Sequence, residues 1–290
     1  MMGWRPWVLA IRPHHWLKNA LVLVPALAAH HADALWHHGL WAMISFSLCA
    51  SAGYVLNDLV DIRHDQSHPT KCWRPFAAGA LSPWHGLLVM ALLLGGAWGT
   101  AYSLPLSFLG ILAGYGILTT LYTVWLKTHV VIDVVVLACL YGARLVAGGC
   151  AADVELSPWL MAMAVFWFLC LALIKRCTEI IDCTAAGVSN LAGRGYRSHD
   201  LPILGAMAAA SGFVGVLVVA LYINSPAVSR LYGHPDILWL VIIVLVYWLG
   251  RVLLLCHRGE MHDDPILFAA TDRPSLASLV AIAAIIAASL

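Results

Sequence analysis

"NDLVDIRHDQSHPTKCWRP", residues 57–75, gathers Asp58, Asp61, Asp65, Arg63, Lys71 and Arg74 into one stretch of a chain in which only 11% of residues are charged. An apolar run at 39–56 leads into it, another begins at 84, and the same alternation of long apolar runs and short charged joints covers the 290 residues. Hydrophobic residues make up 62% of the chain, with 13 Trp, and mean hydropathy is +0.85. Those values lie outside the range of soluble globular domains and predict an all-α polytopic membrane protein.

A hydrocarbon core of about 30 Å takes roughly 20 helical residues to cross. Runs at 17–31, 39–56, 84–103, 106–126, 130–150, 157–175, 201–223, 236–256 and 275–290 predict nine transmembrane helices in a single integral membrane domain, residues 1–290. No internal repeat, low-complexity tract or second domain interrupts the pattern. Residues 1–16 read as an interfacial helix: Trp4, Trp7 and Trp16 suit the headgroup layer, while Arg5, Arg12 and Lys18 favour the cytoplasmic leaflet. The N-terminus lacks the continuous apolar core of a cleavable signal.

With that end inside, 14 of the 16 basic residues fall on one side, and the positive-inside rule makes that side cytoplasmic. Eleven of the 15 acidic residues lie there too. Anchoring alone needs only the cations; a mixture of carboxylates and cations facing one compartment suggests a site for a metal-bound anion. The net charge of +1 says little about partners, and none of them is expected to be a nucleic acid. The eight Cys form no CxxC pair and read as small core residues. His30, His31, His37 and His38 have the composition to bind a metal or sense pH, but the plainer reading is a His-rich interfacial loop.

If the opening stretch continues the preceding helix, Asn57, Asp61 and Asp65 recur every four residues on one face. Three oxygen-bearing side chains at that spacing suit Mg²⁺, a hard cation shared between carboxylates, waters and substrate phosphates. Like charges so spaced repel one another unless a cation is present. Asp58 points about 100° away and supports that row. Downstream, Lys71 and Arg74 sit between Pro69 and Pro75; Lys offers a point charge and Arg a fork of donors to phosphate oxygens. A row of metal ligands followed by a pair of cations is the minimal equipment for a diphosphate, whose charge grows as it departs.

Asn57-x-x-x-Asp61-x-x-x-Asp65 between the second and third helices of such a bundle resembles the first aspartate-rich motif of the UbiA-type prenyltransferase superfamily. "RPHHWLKN" at 12–19, "HPTKCWRPFAAG" at 68–79, "LYTVWLK" followed by Asp133, and "LIKRCTE" at 173–179 look most like its decaprenyl-phosphate phosphoribosyltransferase branch. The resemblance implies a bacterial cytoplasmic-membrane enzyme with its active site facing the cytoplasm. It implies Mg²⁺ as cofactor, phosphoribosyl pyrophosphate as soluble donor and a polyprenyl phosphate in the bilayer as acceptor. Tyr122 and Lys127 resemble the family's Tyr and Lys near the end of helix four. One departure matters: where typical members carry a second DxxxD motif, this chain has Lys175, Arg176, Glu179 and Asp182. Two adjacent cations fit an additional phosphate better than a second metal, although Glu179 still has the reach to contact the metal.

Asp133 and Arg144 are 11 residues apart, almost three helical turns or about 16 Å on one face. Ionisable residues within a span usually face the bundle interior, and Arg144 is open between brace and ligand contact. Asp264 and Asp272, in "MHDDPILFAATDR", either close the site or solvate a loop. A phosphate monoester is largely dianionic at neutral pH, so as acceptor it needs orientation rather than a general base. Asn57, Asp61 and Asp65 are then expected to hold Mg²⁺ on the donor's pyrophosphate, Lys71 and Arg74 to stabilise it as it leaves, and Lys18, Lys127, Lys175 and Arg176 to hold the acceptor. The alternatives are a prenyltransferase using a polyprenyl diphosphate, which wants a second carboxylate motif, and a lipid transporter, which wants charge spread through the membrane.

Overall fold

The computed structural model describes residues 4–29, 35–66, 71–185, 187, 194–261 and 264–290, and every regular element among them is helical. His30, His31 and Pro69 lie outside the described residues. Among the described residues, seven helices are long and apolar enough to cross a membrane: Trp36–Val60, Pro83–Ala101, Leu106–Val124, Ile132–Ala152, Pro158–Ala185, Ser198–Ile223 and Pro235–His257. A helix pair bent by 80°, Pro265–Thr271 and Arg273–Ser289, makes an eighth if it is counted as one span.

The ninth expected span, at 17–31, is not a regular α-helix among the described residues. Helix α1 (Arg5–Ile11) ends on Arg12 in the left-handed region, φ 54°. A 3₁₀ stretch follows over Pro13–Leu23, and only Val24–Ala28 (α2) returns to α geometry. The prolines explain the break. Pro13 and Pro25 donate no backbone hydrogen bond, so each sits in the first turn of a new helical piece, where that donor is not needed. A 3₁₀ run of 11 residues is long for its kind. It is held along α3 (Leu40–Val60) by Trp16 donating to Ser51 at 2.9 Å and Asn19 donating to Ser47 at 3.0 Å. Partner numbers fall as the segment's numbers rise, so the two pieces run antiparallel.

Contacts divide the chain into two compact units: Met1–Val136, Leu140–Leu156 and Ala192–Arg194 form the first, and Leu137–Cys139, Ser157–Leu191 and Gly195–Leu290 the second. The first holds α3, a short continuation α4 (Ile62–Gln66), α5 (Pro83–Ala101), α6 (Leu106–Val124) and nearly all of α7 (Ile132–Ala152). Lipid tails are as apolar as Leu, so helices associate in a bilayer through close packing of small residues rather than through burial from water. Ala42, Ala50, Ala97 and Ala101 are accordingly buried together, with Phe46 against Phe108 and Tyr115. Leu87, Leu88 and Leu92 on α5 stay exposed, as a lipid-facing side requires.

Gly148 on α7 shows how close these approaches are, because a Cβ there would overlap the backbone carbonyl of Val22. Gly148→Ala is expected to destabilise the protein by about 1–3 kcal/mol, read as a lower thermal-unfolding midpoint in detergent. An unchanged midpoint would mean that the 3₁₀ segment does not pack there.

The second unit contains α8 (Pro158–Ala185), α9 (Leu201–Ile223), α10 (Pro226–Leu231), α11 (Trp239–His257), α12 (Pro265–Thr271) and α13 (Arg273–Ser289). Gly212 admits the Leu249 methyls, which would lie 2.8 Å from a Cβ at that position. Trp167 stacks on Trp248, 5.7 Å between ring centroids, and the Trp248 indole donates to Ser275. Asp264 and Asp272 cap α12 and α13 by accepting from the backbone N–H of Ile266 and Ser275.

Candidate active site

The C-terminal end of α3 carries the predicted row. Helical hydrogen bonds continue through it, with the Asp61 N–H donating to Asn57 and the Asp65 N–H to Asp61, even though Asp61 itself leaves the α region between α3 and α4. The repeat of four residues is therefore realised in the backbone. The side chains nevertheless divide between two sets of cations.

Lys127, on a 3₁₀ turn at Leu126–Thr128, donates to both carboxylate oxygens of Asp61 at 2.7 Å and to Asn57 Oδ1 at 3.3 Å. Asp65 instead accepts from Arg74 at 2.7 Å, and the same Arg74 nitrogen lies 3.2 Å from Asp58. Asp58 is the deepest of the three carboxylates, its side chain 1% exposed. It takes two bonds from Arg12, at 2.6 and 2.9 Å. Arg12 can reach it because its left-handed turn between α1 and the 3₁₀ run aims the side chain at the end of α3. A buried carboxylate is tolerated only when paired and hydrogen-bonded, and Asp58 meets both conditions. Its placement makes it the anchor that fixes Arg12 and Arg74.

The next loop adds a third set. Val131, a β-branched residue, adopts φ 69°, a conformation such residues rarely take. It leads into Asp133, which is fully buried at the start of α7. Arg194 lies 3.5 Å from Asp133 and donates to the Tyr122 hydroxyl at 2.9 Å. Lys18 is buried on the 3₁₀ run, and Lys71 begins a short 3₁₀ turn ahead of Arg74.

Arg144, buried in the first unit, donates to Asn19 Oδ1 at 2.8 Å, to the Tyr115 hydroxyl at 2.9 Å and to the Leu140 carbonyl. Its guanidinium also lies over the Tyr115 ring at 4.9 Å. Its position inside the packed helices is that of a brace between the 3₁₀ segment, α6 and α7.

In the second unit, Arg176 is fully buried, bonds Glu179 one turn on, and lies over the Tyr196 ring at 5.7 Å. Lys175 is 30% exposed and reaches Asp264 at 3.4 Å. Asp272 accepts a two-pronged bond from Arg251 at 2.6 and 3.0 Å. Asp264 and Asp272, left open by sequence, thus combine helix capping with ion pairing.

The metal fit rests on the donor set and on what already occupies it. Among the described residues, no three His, Cys, Asp or Glu side chains are grouped closely enough to enclose a metal. Asn57 and Asp61 do converge, and the ammonium of Lys127 lies at their meeting point as a stand-in cation. One carboxylate and one amide oxygen, with other positions left to water and phosphate, suit Mg²⁺, which usually keeps several waters and takes one or two carboxylates from the protein. The residues present fit the ion.

The sequence reading missed the roles of Arg12, Asn19, Tyr115 and Arg194. Arg12 precedes Pro13, a position at which helices tend to end, and that was its one local signal. Arg194 stands between Gly193 and Gly195 in the sequence and gives no sign there of its pairing with Asp133.

Among the described residues, seven apolar helices of spanning length, or eight with the bent pair counted as one, accompany a row of acidic side chains and paired cations at a helix end, the marks of an integral membrane protein with its charge gathered at a helix terminus. The chain belongs to the UbiA prenyltransferase family, whose model matches residues 20–285. The protein y4nM of Sinorhizobium fredii is 35% identical over 98% of this chain and 56% of its own length. The nodulation protein NoeC of Azorhizobium caulinodans is 34% identical over 94% of this chain and 90% of its own. The decaprenyl-phosphate phosphoribosyltransferase of Mycobacterium tuberculosis is 35% identical over 60% of this chain and 59% of its own. The chain thus spans less than two thirds of the first and third of these relatives. A UbiA homolog from Archaeoglobus fulgidus bound to GPP and Mg²⁺ shares the fold, with a TM-score of 0.71 and 15% identity over 97% of this chain and 99% of that one.

Proposed function

We propose that this chain transfers the 5-phosphoribosyl group of phosphoribosyl pyrophosphate to a polyprenyl phosphate, in a Mg²⁺-dependent reaction that releases pyrophosphate. We place the reaction at the cytoplasmic face of a bacterial cytoplasmic membrane. The observation that carries the reading is the joint presence of the Asn57–Asp61 oxygens and the cations Lys127 and Arg74 at one helix end. Its donor is suggested by the 35% identity to the mycobacterial phosphoribosyltransferase.

Bound Mg²⁺ supplies Lewis-acid neutralisation of the pyrophosphate oxygens. Asn57 and Asp61 would hold it, while Asp65, next in the row, keeps Arg74 in place. Lys71 and Arg74 stabilise the pyrophosphate as it gathers charge. Lys18 and Lys127 orient the acceptor phosphate. An oxygen of that dianion attacks C1 of the ribose, the C1–O bond to pyrophosphate breaks, and pyrophosphate leaves with the bonding pair. No proton has to move, in keeping with an acceptor whose second pKa is near 6.

Lys175 and Arg176 stand where a second acidic pair for a metal would be expected, which favours this reading over a prenyltransferase that needs one. The test is pyrophosphate release by the purified protein. Release is expected to need Mg²⁺, phosphoribosyl pyrophosphate and polyprenyl phosphate together, and to stop on adding EDTA. Release that is indifferent to the lipid or to EDTA would reject the reading.

A further inference from the structure

We infer that Lys127 is the resident counter-ion of the metal position and must withdraw before a divalent cation binds there, so that it sets the metal affinity of the protein. The inference rests on the proposed role of Asn57 and Asp61 as metal ligands. Three observations support it.

First, the ammonium does not touch the edge of the carboxylate but straddles it, 2.7 Å from each oxygen, and takes the Asn57 oxygen at 3.3 Å as well. It therefore uses the oxygens a metal would use. A Mg²⁺ at about 2.1 Å from the same carboxylate could lie no more than about 4.8 Å from that ammonium. Two positive centres so placed in a partly dry site repel strongly.

Second, each of the three carboxylates at this helix end already has a cationic partner. Asp58 is paired with Arg12 and Arg74, Asp65 with Arg74, and Asp61 with Lys127. These pairings set three carboxylates against three cations. A divalent ion at Asp61 would have to share that carboxylate with the Lys127 ammonium unless the ammonium moves.

Third, Lys127, itself only 10% exposed, can leave its carboxylate without stripping a deeply buried one. Arg12 and Arg74 contact the buried Asp58, whereas the Asp61 side chain is 23% exposed, and a flexible four-carbon stem lets the ammonium turn from carboxylate to phosphate. Lys127 thus protects Asp61 from an unpaired state when the site is empty and is delivered to phosphate when the site fills.

The test uses the full chain in detergent with Mn²⁺ alone as probe, bound metal being measured from the loss of the free-ion paramagnetic resonance signal. Lys127→Gln is expected to bind Mn²⁺ about tenfold more tightly than wild type, and Lys127→Arg to stay within about threefold of it, because the positive charge is kept. Adding Asp61→Asn to Lys127→Gln should remove the gain. A folded Lys127→Gln protein that binds no more tightly than wild type overturns the inference, as does a gain that survives Asp61→Asn. Should Lys127→Gln fail to fold, wild type provides the second measurement. Saturating Mg²⁺ is expected to raise amine-reagent labelling of Lys127 at least about threefold by mass spectrometry, and unchanged labelling overturns the inference. No substrate enters either measurement, so a failed transfer assay leaves these results standing, and successful transfer with unaltered metal affinity rejects only the counter-ion role of Lys127.

Discussion

Asp61→Asn is expected to lower turnover at least about 100-fold, roughly 2.7 kcal/mol of transition-state stabilisation, in a protein that keeps its helical content and its elution position in detergent. The substitution preserves shape and removes the anionic oxygens on which Lys127 converges. A hard cation loses its carboxylate ligand and keeps only neutral amides there. The fold survives because the Asp61 side chain is 23% exposed and the deep pairings of this helix end run through Asp58, Arg12 and Arg74. Turnover within a few-fold of wild type would mean that the row of oxygens at the end of α3 is only a solvated helix terminus.

The second large effect is on stability. Arg176→Gln is expected to cost about 3 kcal/mol, the low end for breaking a buried ion pair, because Arg176 is fully buried but its partner Glu179 is 27% exposed and regains some solvation. A midpoint lower by roughly 5–10 °C is the expected signature. Lys175 next to it behaves differently: it is 30% exposed and 3.4 Å from Asp264, so Lys175→Gln should fold normally. If it contacts the acceptor, that variant raises the apparent KM for polyprenyl phosphate about tenfold while that for the soluble donor changes little. Equal shifts in both constants would remove Lys175 from the acceptor's ligands.

The contrast between these two neighbours marks where sequence reading stops. The spans were legible because apolar runs long enough to cross a bilayer, repeated along one chain, bury too much surface for a water-soluble fold to enclose. The row at Asn57, Asp61 and Asp65 was legible because a period of four survives any plausible end of the helix. The first span was not, since an apolar run does not reveal that Pro13 and Pro25 break it into 3₁₀ and α pieces. Nor were the ion pairs. Lys127 and Asp61 are 66 positions apart, and Arg12 and Asp58 are 46 apart; only tertiary packing selects among the many cations available to each carboxylate. Asp58 illustrates the consequence. Its angular offset from the row holds for an isolated helix, but it could not show that this side is covered by the N-terminal segment, which makes Asp58 the most deeply buried carboxylate of the group. Arg144 is the converse case. An Arg inside a span signals an interior position from sequence alone, whereas its partners Asn19 and Tyr115 come from elements 125 and 29 residues away.

Transfer of a 5-phosphoribosyl rather than a prenyl group is tested most directly by following a label. Purified protein is incubated with Mg²⁺, ribose-labelled phosphoribosyl pyrophosphate, polyprenyl phosphate, polyprenyl diphosphate and an aromatic acid in one vessel, and the lipid extract is analysed. The account predicts ribose label in the lipid fraction, in an amount matching the pyrophosphate released, with polyprenyl diphosphate unchanged. Label that stays in the water while polyprenyl diphosphate is consumed and the aromatic acid becomes lipid-soluble would contradict it.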